Sequence, residues 1–360
     1  MTARRSLPDE LADALDIVSP GTELRDGIDN VIRASNGALV VVSNPQKLER
    51  LGIISGGMKM EQEFAPMRLY ELAKMDGAIV VSPDLSTIHY ANVQLSPDPS
   101  LTSEETGMRH LAAHRTAQQT GDLVVAVSER RRVVSLYQGP YGPHVLEDIG
   151  VALSKANSAL ATLEKFTRRL REEARVLTMH EYDSAVTLRE VAGAISTFEY
   201  TVRIADEIEA YVRELGREGR LVEMQLEEAV NNVPEQYRAL LKDYVEEGVH
   251  TRDVFKRLHA CDSEQLSDTV EITQILGYDP MGHSDDFFLQ PRGFRQLEQI
   301  PRLPRKVADN LAREFGSLKE LLDASQEELD DVDGVGQARA RAIRRGLERQ
   351  KNLEPSGEVL

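Results

Sequence analysis

Apolar residues follow two rhythms along this 360-residue chain. Leu24, Ile28, Val31 and Ile32 recur at helical spacing, Gly37 stops that run, and Ala38–Val42 then reads as a buried strand. Residues 77–81, 87–91, 123–128 and 133–137 repeat the strand pattern with Val, Ile and Leu, and the charged stretch 129–132 predicts the turn between the last two. Helices alternating with such strands predict an α/β domain with a mixed sheet. From about Val151 the rhythm changes. Leu153, Ala156, Leu160, Leu163, Phe166 and Leu170 keep helical spacing, and strand signal is nearly absent up to Tyr278, which predicts an all-α middle region. Residues 278–290, YDPMGHSDDFFLQ, read as a turn-rich bridge. Beyond it Ser317 with Glu320, and Ser325 with Glu328, have the spacing of capping boxes and predict short helices starting at each serine. The predicted division is 1–148 α/β, 149–289 all-α, 290–352 all-α and a disordered tail at 353–360.

The last helical region carries chemistry. Val332-Asp333-Gly334-Val335-Gly336 followed by 337–345 predicts a helix, a glycine turn and a second helix. Glycines let backbone approach a phosphate, and the N–H groups opening the next helix complement an anion. Arg339, Arg341, Arg344 and Arg345 would add charge-assisted bonds to neighbouring phosphates. About thirty residues earlier, Ile300-Pro301-Arg302-Leu303-Pro304 holds the equivalent place before a helix over Arg305–Phe315, but without glycines, so this first hairpin reads as degenerate. The pair makes a tandem helix-hairpin-helix module suited to DNA backbone. Gly334 and Gly336 would equally serve a plain helix–helix turn. No base-reading surface stands out, so shape and backbone recognition are expected rather than sequence readout.

Charge does not oppose this reading. The chain carries a net charge of −17, yet residues 290–360 hold thirteen basic and thirteen acidic side chains, so the negative excess lies upstream. The start of the chain mixes Arg4, Arg5, Asp9 and Glu10 with no apolar core, and no apolar run approaches membrane-spanning length; neither secretion nor a membrane is expected. A single cysteine, Cys261, excludes an internal disulfide and a thiolate cluster and suits a reducing cytoplasm, with Cys261 as packing.

The first 150 residues lack both the P-loop and the dinucleotide glycine signatures. Two other features stand out: Asp76-Gly77-Ala78 opening a strand, and Thr106-Gly107-Met108-Arg109-His110 opening a helix. An acid at a strand edge can hold a metal or polarise a hydroxyl, and a helix N-terminus with Arg and His suits a polyphosphate. An Asp-Gly pair at a strand start is also an ordinary turn. His110 and His114 stand four apart, as zinc-binding pairs do, but position 111 is Leu where the zinc helix needs Glu. Gly56-Gly57 reads as a plain turn.

Tyr70-Glu71-Leu72-Ala73-Lys74-Met75-Asp76-Gly77-Ala78, Tyr90-Ala91-Asn92-Val93-Gln94-Leu95 and Gln118-Gln119-Thr120-Gly121 resemble the family of bacterial DNA integrity scanning proteins, which are diadenylate cyclases, and the likeness runs through all three regions in the family's order. The resemblance implies that residues 1–148 condense two ATP into cyclic di-AMP with release of pyrophosphate, at a site where two such domains face each other. It implies Asp76 as the group that activates the ribose 3′-hydroxyl, with Mg²⁺ or Mn²⁺, and Gly77 and Ala78 as close backbone neighbours of the nucleotide. Met108, Arg109 and His110 would line the triphosphate, Arg109 and His110 with catalytic roles; Ser128 would touch phosphate, Leu95 the adenine, and Arg131 would be a supporting cation. It further implies a homo-octamer, branched or junction DNA as ligand of the C-terminal module, and a recombination helicase as partner. One departure counts. The family reads Arg-His-Arg where this chain has Arg109-His110-Leu111, followed by Ala112 in place of a hydroxyl and His114 in place of an acid. Arg115, one turn beyond Leu111, is the nearest replacement cation. Two function classes follow: a cyclase modulated by DNA, or a DNA-bound scaffold that holds nucleotide without turning it over.

Overall fold

The computed structural model describes residues 9–282 and 284–352; the predicted tail 353–360 lies outside the described residues. These fall into two compact units, one of residues up to 160 with 207–225, the other of 161–206 with 226–352.

The first unit contains α1 (Asp9–Val18), α2 (Glu23–Arg33), β1 (Ala38–Val42), α3 (Pro45–Arg50), β2 (Ile54–Ser55), β3 (Met58–Glu63), α4 (Pro66–Leu72), β4 (Ala78–Val81), β5 (Thr87–Leu95), α5 (Met108–Thr120), β6 (Leu123–Val127), β7 (Val134–Gln138), β8 (Tyr141–Val145) and the start of α6 (Ile149–Tyr182). The sheet runs β2-β5-β4-β1-β6-β7-β8, with β3 also on β5. Only β1 and β4 pair in parallel, so the sheet is mixed, as predicted. Its central strands are apolar at every position because both faces are covered. Val40, Val42, Ile79, Val81 and Val125 meet Leu15, Leu24, Ile28 and Leu69 from α1, α2 and α4 on one face. Leu39, Val41, Val80 and Val124 meet Leu48, Ala113 and Ala117 from α3 and α5 on the other.

Three strands escaped the pattern. β3 (MKMEQE) is exposed at nearly every position and β8 (YGPHV) carries Gly and Pro, so neither shows apolar alternation, while β2 is only two residues long. Gly56-Gly57 is not a chain-reversing turn. Ser55 faces Gln94 and Met58 faces Ala91 in one register, so β2 and β3 form a single edge strand that bends at the two glycines, both at positive φ. The bend lies opposite Asn92, itself at φ 55.

The second unit packs the later part of α6, the first part of α7 (Leu188–Leu215), α9 (Val233–Tyr244), α10 (Thr251–Ala260) and α11 (Thr269–Leu276) around a helical core that includes Cys261, while the end of α7 and most of α8 (Arg220–Ala229) belong to the first unit. The stretch 278–290 is turn-rich, as expected, and pinned: Phe287 accepts from the Leu188 N–H and Leu289 donates to Val186, both at 2.9 Å. Then come α12 (Phe294–Glu298), α13 (Arg305–Phe315), α14 (Leu318–Asp323), α15 (Gln326–Asp330) and α16 (Gln337–Lys351), with their own core. Ser325 and Glu328 make the full reciprocal capping box, whereas Ser317 only accepts from Glu320 N–H.

A buried polar cluster joins α6, α9 and α12. Glu181 accepts from Arg295 Nη1 at 2.5 Å, from Tyr244 Oη at 2.7 Å and from Gln296, while Asp243 accepts the backbone N–H groups of Phe294 and Arg295 at 2.7 and 2.9 Å. The guanidinium is bonded to Glu181 and not to Asp243, and burial together with Glu181 pushes Asp243 up to about 7. No helix among the described residues is long and apolar enough to cross a membrane.

Candidate active site and nucleic-acid interface

Strand register gathers most of the expected site at one end of the sheet. Ala78 pairs with Val93, so the β4–β5 ladder ends with Asp76-Gly77 on one strand and Leu95 on the other. Val40 pairs in parallel with Ile79, which sets the start of β1 beside the start of β4. Ala38 pairs with Val127, so Gly37 and Ser128 come next on that same end. Ser128 Oγ accepts from Arg131 N–H at 3.3 Å, which holds the 129–132 turn there. Gly77 sits at φ 102, and a Cβ on it would lie 2.8–2.9 Å from Asn92 and from the Val93 carbonyl. Packing against the β5 bulge therefore demands glycine at 77, independently of any nucleotide. Asp76 itself is exposed.

The α5 N-terminus supplies the cations. Met108 is 82% exposed, and the Arg109 guanidinium lies over Gly37, where any Cβ would collide with it. The helix stops before Gly37, with Ala34 as its C-cap and Ser35 in the left-handed turn at φ 55, so the role of Gly37 is one the hydrophobic pattern hid: it seats Arg109. His110 points inward and is 6% exposed. Its Nδ1 meets Tyr137 Oη at 3.0 Å, and Tyr137 Oη donates to Glu105 Oε1 at 2.7 Å. Burial lowers the His110 pKa; Arg131 and Arg109 add to this, and Glu105 opposes it. Burial and then Glu105 drive the Tyr137 phenol well above its ordinary range. Glu105 and Tyr137 were not expected at the site; the only sequence signal was a phenol on a buried strand face.

The residues that depart from Arg-His-Arg have structural occupations. His114 stacks on Tyr137 at 5.4 Å, with Nδ1 2.9 Å from Ser103 Oγ and Nε2 3.1 Å from Gln118. Both histidines of the zinc-like pair therefore spend Nδ1 on hydroxyls. Arg115 does not replace the missing arginine, because its Nε donates to the Leu101 carbonyl at 2.8 Å and ties down the loop before α5. Among the described residues no three His, Cys, Asp or Glu side chains gather as a metal site. A lone exposed carboxylate at Asp76 fits a Mg²⁺ or Mn²⁺ that arrives largely held by nucleotide phosphates.

In the C-terminal module the two hairpins share one backbone shape. Val335 N–H bonds the Val332 carbonyl at 2.9 Å and Leu303 N–H bonds Ile300 at 3.3 Å; Gly336 and Pro304 each cap the following helix in extended conformation. Gly334 turns at φ 85, and Arg302 takes the same left-handed turn at φ 63. The glycine-free hairpin is therefore fully built, with an exposed arginine at its tip, rather than degenerate. Val335 is buried in the module core, so only its backbone faces outward. Arg339 bonds the Gly334 carbonyl, Arg341 the Gln337 carbonyl at 3.3 Å, and Arg344 pairs with Glu348 at 3.2 Å; Arg345 is exposed.

Residues 25–141 match the family described as DisA bacterial checkpoint controller nucleotide-binding, 146–284 its linker region, and 299–354 the helix-hairpin-helix motif. The DNA integrity scanning protein DisA of Clostridium tetani (strain Massachusetts / E88) is 44% identical over 342 residues, 95% of this chain and 94% of that protein. The chain belongs to the DisA family. The DisA protein of Carboxydothermus hydrogenoformans is 45% identical over 338 residues, 93% of this chain and 95% of the relative. As a DisA family member the chain is an enzyme of the diadenylate cyclase class of nucleotidyltransferases, built as a nucleotide-binding domain, a helical linker and a helix-hairpin-helix domain.

Proposed function

We propose that this chain condenses two ATP into cyclic di-AMP at the sheet end that carries Asp76, and that its C-terminal module holds branched DNA by the backbone. The observation that carries the reading is the convergence of Asp76, Leu95, Ser128 and the Arg109 seat on Gly37, drawn together from separate strands by register alone. The ribose 3′-oxygen of one ATP attacks the α-phosphorus of the other, the bond to pyrophosphate breaks and the hydroxyl proton passes to Asp76; the reciprocal attack closes the ring, so two phosphodiester bonds form and two pyrophosphates leave. Arg109 and Arg131 stabilise negative charge on the phosphates, Ser128 donates to phosphate, Gly77 and Ala78 offer backbone, and Leu95 packs on adenine. Bound Mg²⁺ or Mn²⁺ neutralises phosphate charge. Because both nucleotides react, two cyclase domains must meet face to face, which accords with a homo-octamer.

On the DNA side Gly334 and Gly336 offer backbone N–H groups, Val335 between them anchors the turn through its bond to Val332 and its buried side chain, and Arg339, Arg341, Arg344 and Arg345 surround the turn with charge. We place the functional boundaries at 1–148, 149–289 and 290–352. Leu111 supports a second reading, a nucleotide-holding scaffold, since the family has a cation there and Arg115 is engaged elsewhere.

The test is incubation of purified protein with ATP and Mg²⁺ or Mn²⁺, with chromatography for cyclic di-AMP and Leu111→Arg run in parallel. Product from the unmodified chain is the expected result. Product from the arginine variant alone means a disabled site, and none from either favours the scaffold. Deleting 290–360 is expected to remove DNA binding and spare synthesis.

A further inference from the structure

Below the Arg109 seat lies a line of three side chains with an ordered proton count. Glu105 is acceptor-only, so Tyr137 Oη must donate to it, at 2.7 Å. A phenol has one hydrogen. With that hydrogen committed, Oη can only accept from His110, at 3.0 Å, and the imidazole proton is thereby drawn to Nδ1. The opposite nitrogen, Nε2, is buried without a hydrogen-bond partner, in a ring only 6% exposed. A buried lone pair left unmet costs about 1–3 kcal/mol, so a donor that reaches Nε2 is favoured.

We propose that Tyr137 and Glu105 are positioning residues that lock His110 with its proton on Nδ1, leaving Nε2 as an acceptor for a hydroxyl of the bound nucleotide. The inference rests on the nucleotide-binding reading and sharpens it: His110 does not act as a phosphate cation. Anionic phosphate oxygens carry no proton to give Nε2, whereas a hydroxyl does. The charges acting on the ring agree. Arg109 and Arg131 both disfavour an imidazolium, as does burial, and Glu105 alone favours it. His114, stacked on the other side of Tyr137, has its own partners in Ser103 and Gln118 and takes no part in the relay. Tyr137 is wholly buried, so its hydroxyl has no water to turn to.

The tautomer is directly readable by ¹⁵N NMR of histidine-labelled full-length protein, with the His110 signals assigned by their loss in His110→Gln. At pH 7.5 the expected pattern is a protonated Nδ1 and a bare Nε2, with the Nε2 resonance moving when ATP is added. Tyr137→Phe is expected to mix the tautomers and lower kcat about tenfold with KM for ATP within about twofold, with a native circular dichroism spectrum and melting curve; the change of tautomer is the readout that loss of folded protein would not produce. Glu105→Gln keeps an acceptor for the phenol but removes the charge that favours imidazolium, so kcat should fall less and the acid limb of its pH profile should move to lower pH. An Nε2-protonated or charged His110 in the unmodified protein overturns the proposal, as does an Nε2 resonance indifferent to ATP, or a Tyr137→Phe protein with unchanged tautomer. The spectra need no turnover. The expected tautomer and ATP response in a chain that makes no cyclic di-AMP would sink the cyclase reading and uphold the relay.

Discussion

The guanidinium of Arg109 rests on the Cα of Gly37, with its Cζ 2.7 Å from where a Cβ would stand. An alanine at 37 suits the local backbone, since this glycine does not need positive φ, but it evicts the arginine. Gly37→Ala is therefore expected to weaken synthesis by about tenfold, the worth of roughly one charge-assisted contact to phosphate, while thermal stability stays within about 1 kcal/mol. Steady-state kinetics beside a melting curve checks both; a large stability loss at full activity would mean that Arg109 merely packs.

Asp76 is exposed and stands just before Gly77, which packs so closely on Asn92 that no side chain fits there. Replacing it by Asn preserves size and removes the base. The expected outcome is loss of cyclic di-AMP by at least about a hundredfold, with ATP affinity by calorimetry within a few-fold.

Asp243 gives a pH signature on the opposite side from most carboxylates. Burial and Glu181 raise it from 3.8 to about 7, so the folded protein holds a proton that the unfolded chain releases. Its contribution is fullest below pH 4 and is lost as pH rises toward 7, at up to about 1.4 kcal/mol per pH unit. The difference in melting temperature between the unmodified protein and Asp243→Asn should change between pH 4 and 7 and level off above; a flat difference would mean that the carboxylate is ionised throughout.

Arg302 occupies a left-handed position that costs a side-chain-bearing residue about 1 kcal/mol. Arg302→Gly should leave the module at least as stable, yet weaken DNA binding and reduce the salt dependence by about one phosphate contact. Fluorescence titration across a salt series would read this, and an unchanged slope would remove the first hairpin from the DNA face.

Legibility followed burial. ALVVV, AIVV and LVVAV announce β1, β4 and β6 because both faces are covered, and the Ser325–Glu328 box announces α15 because capping is local. The edge strands β3 and β8 have too little apolar surface to show a period. At the site Asp76 and Arg109 stand out by their places at a strand start and a helix N-terminus, and Leu95 follows from the family resemblance; their meeting depends on register, which no local pattern carries. The Glu105–Tyr137–His110 line joins residues of a loop, a strand and a helix and was invisible for the same reason. Arg302 misled because the left-handed turn usually signals itself by glycine.

The bend at Gly56-Gly57 also bears on what the sheet can recruit. A straight edge offers a row of free N–H and C=O groups on which a stray strand can grow. Here the edge breaks direction part-way along and continues as Met58–Glu63, with Lys59, Glu61 and Glu63 along its length. An incoming strand could match one half of this margin only by losing the other, so the bend opposite Asn92, the residue on which Gly77 packs, also guards the domain against aggregation.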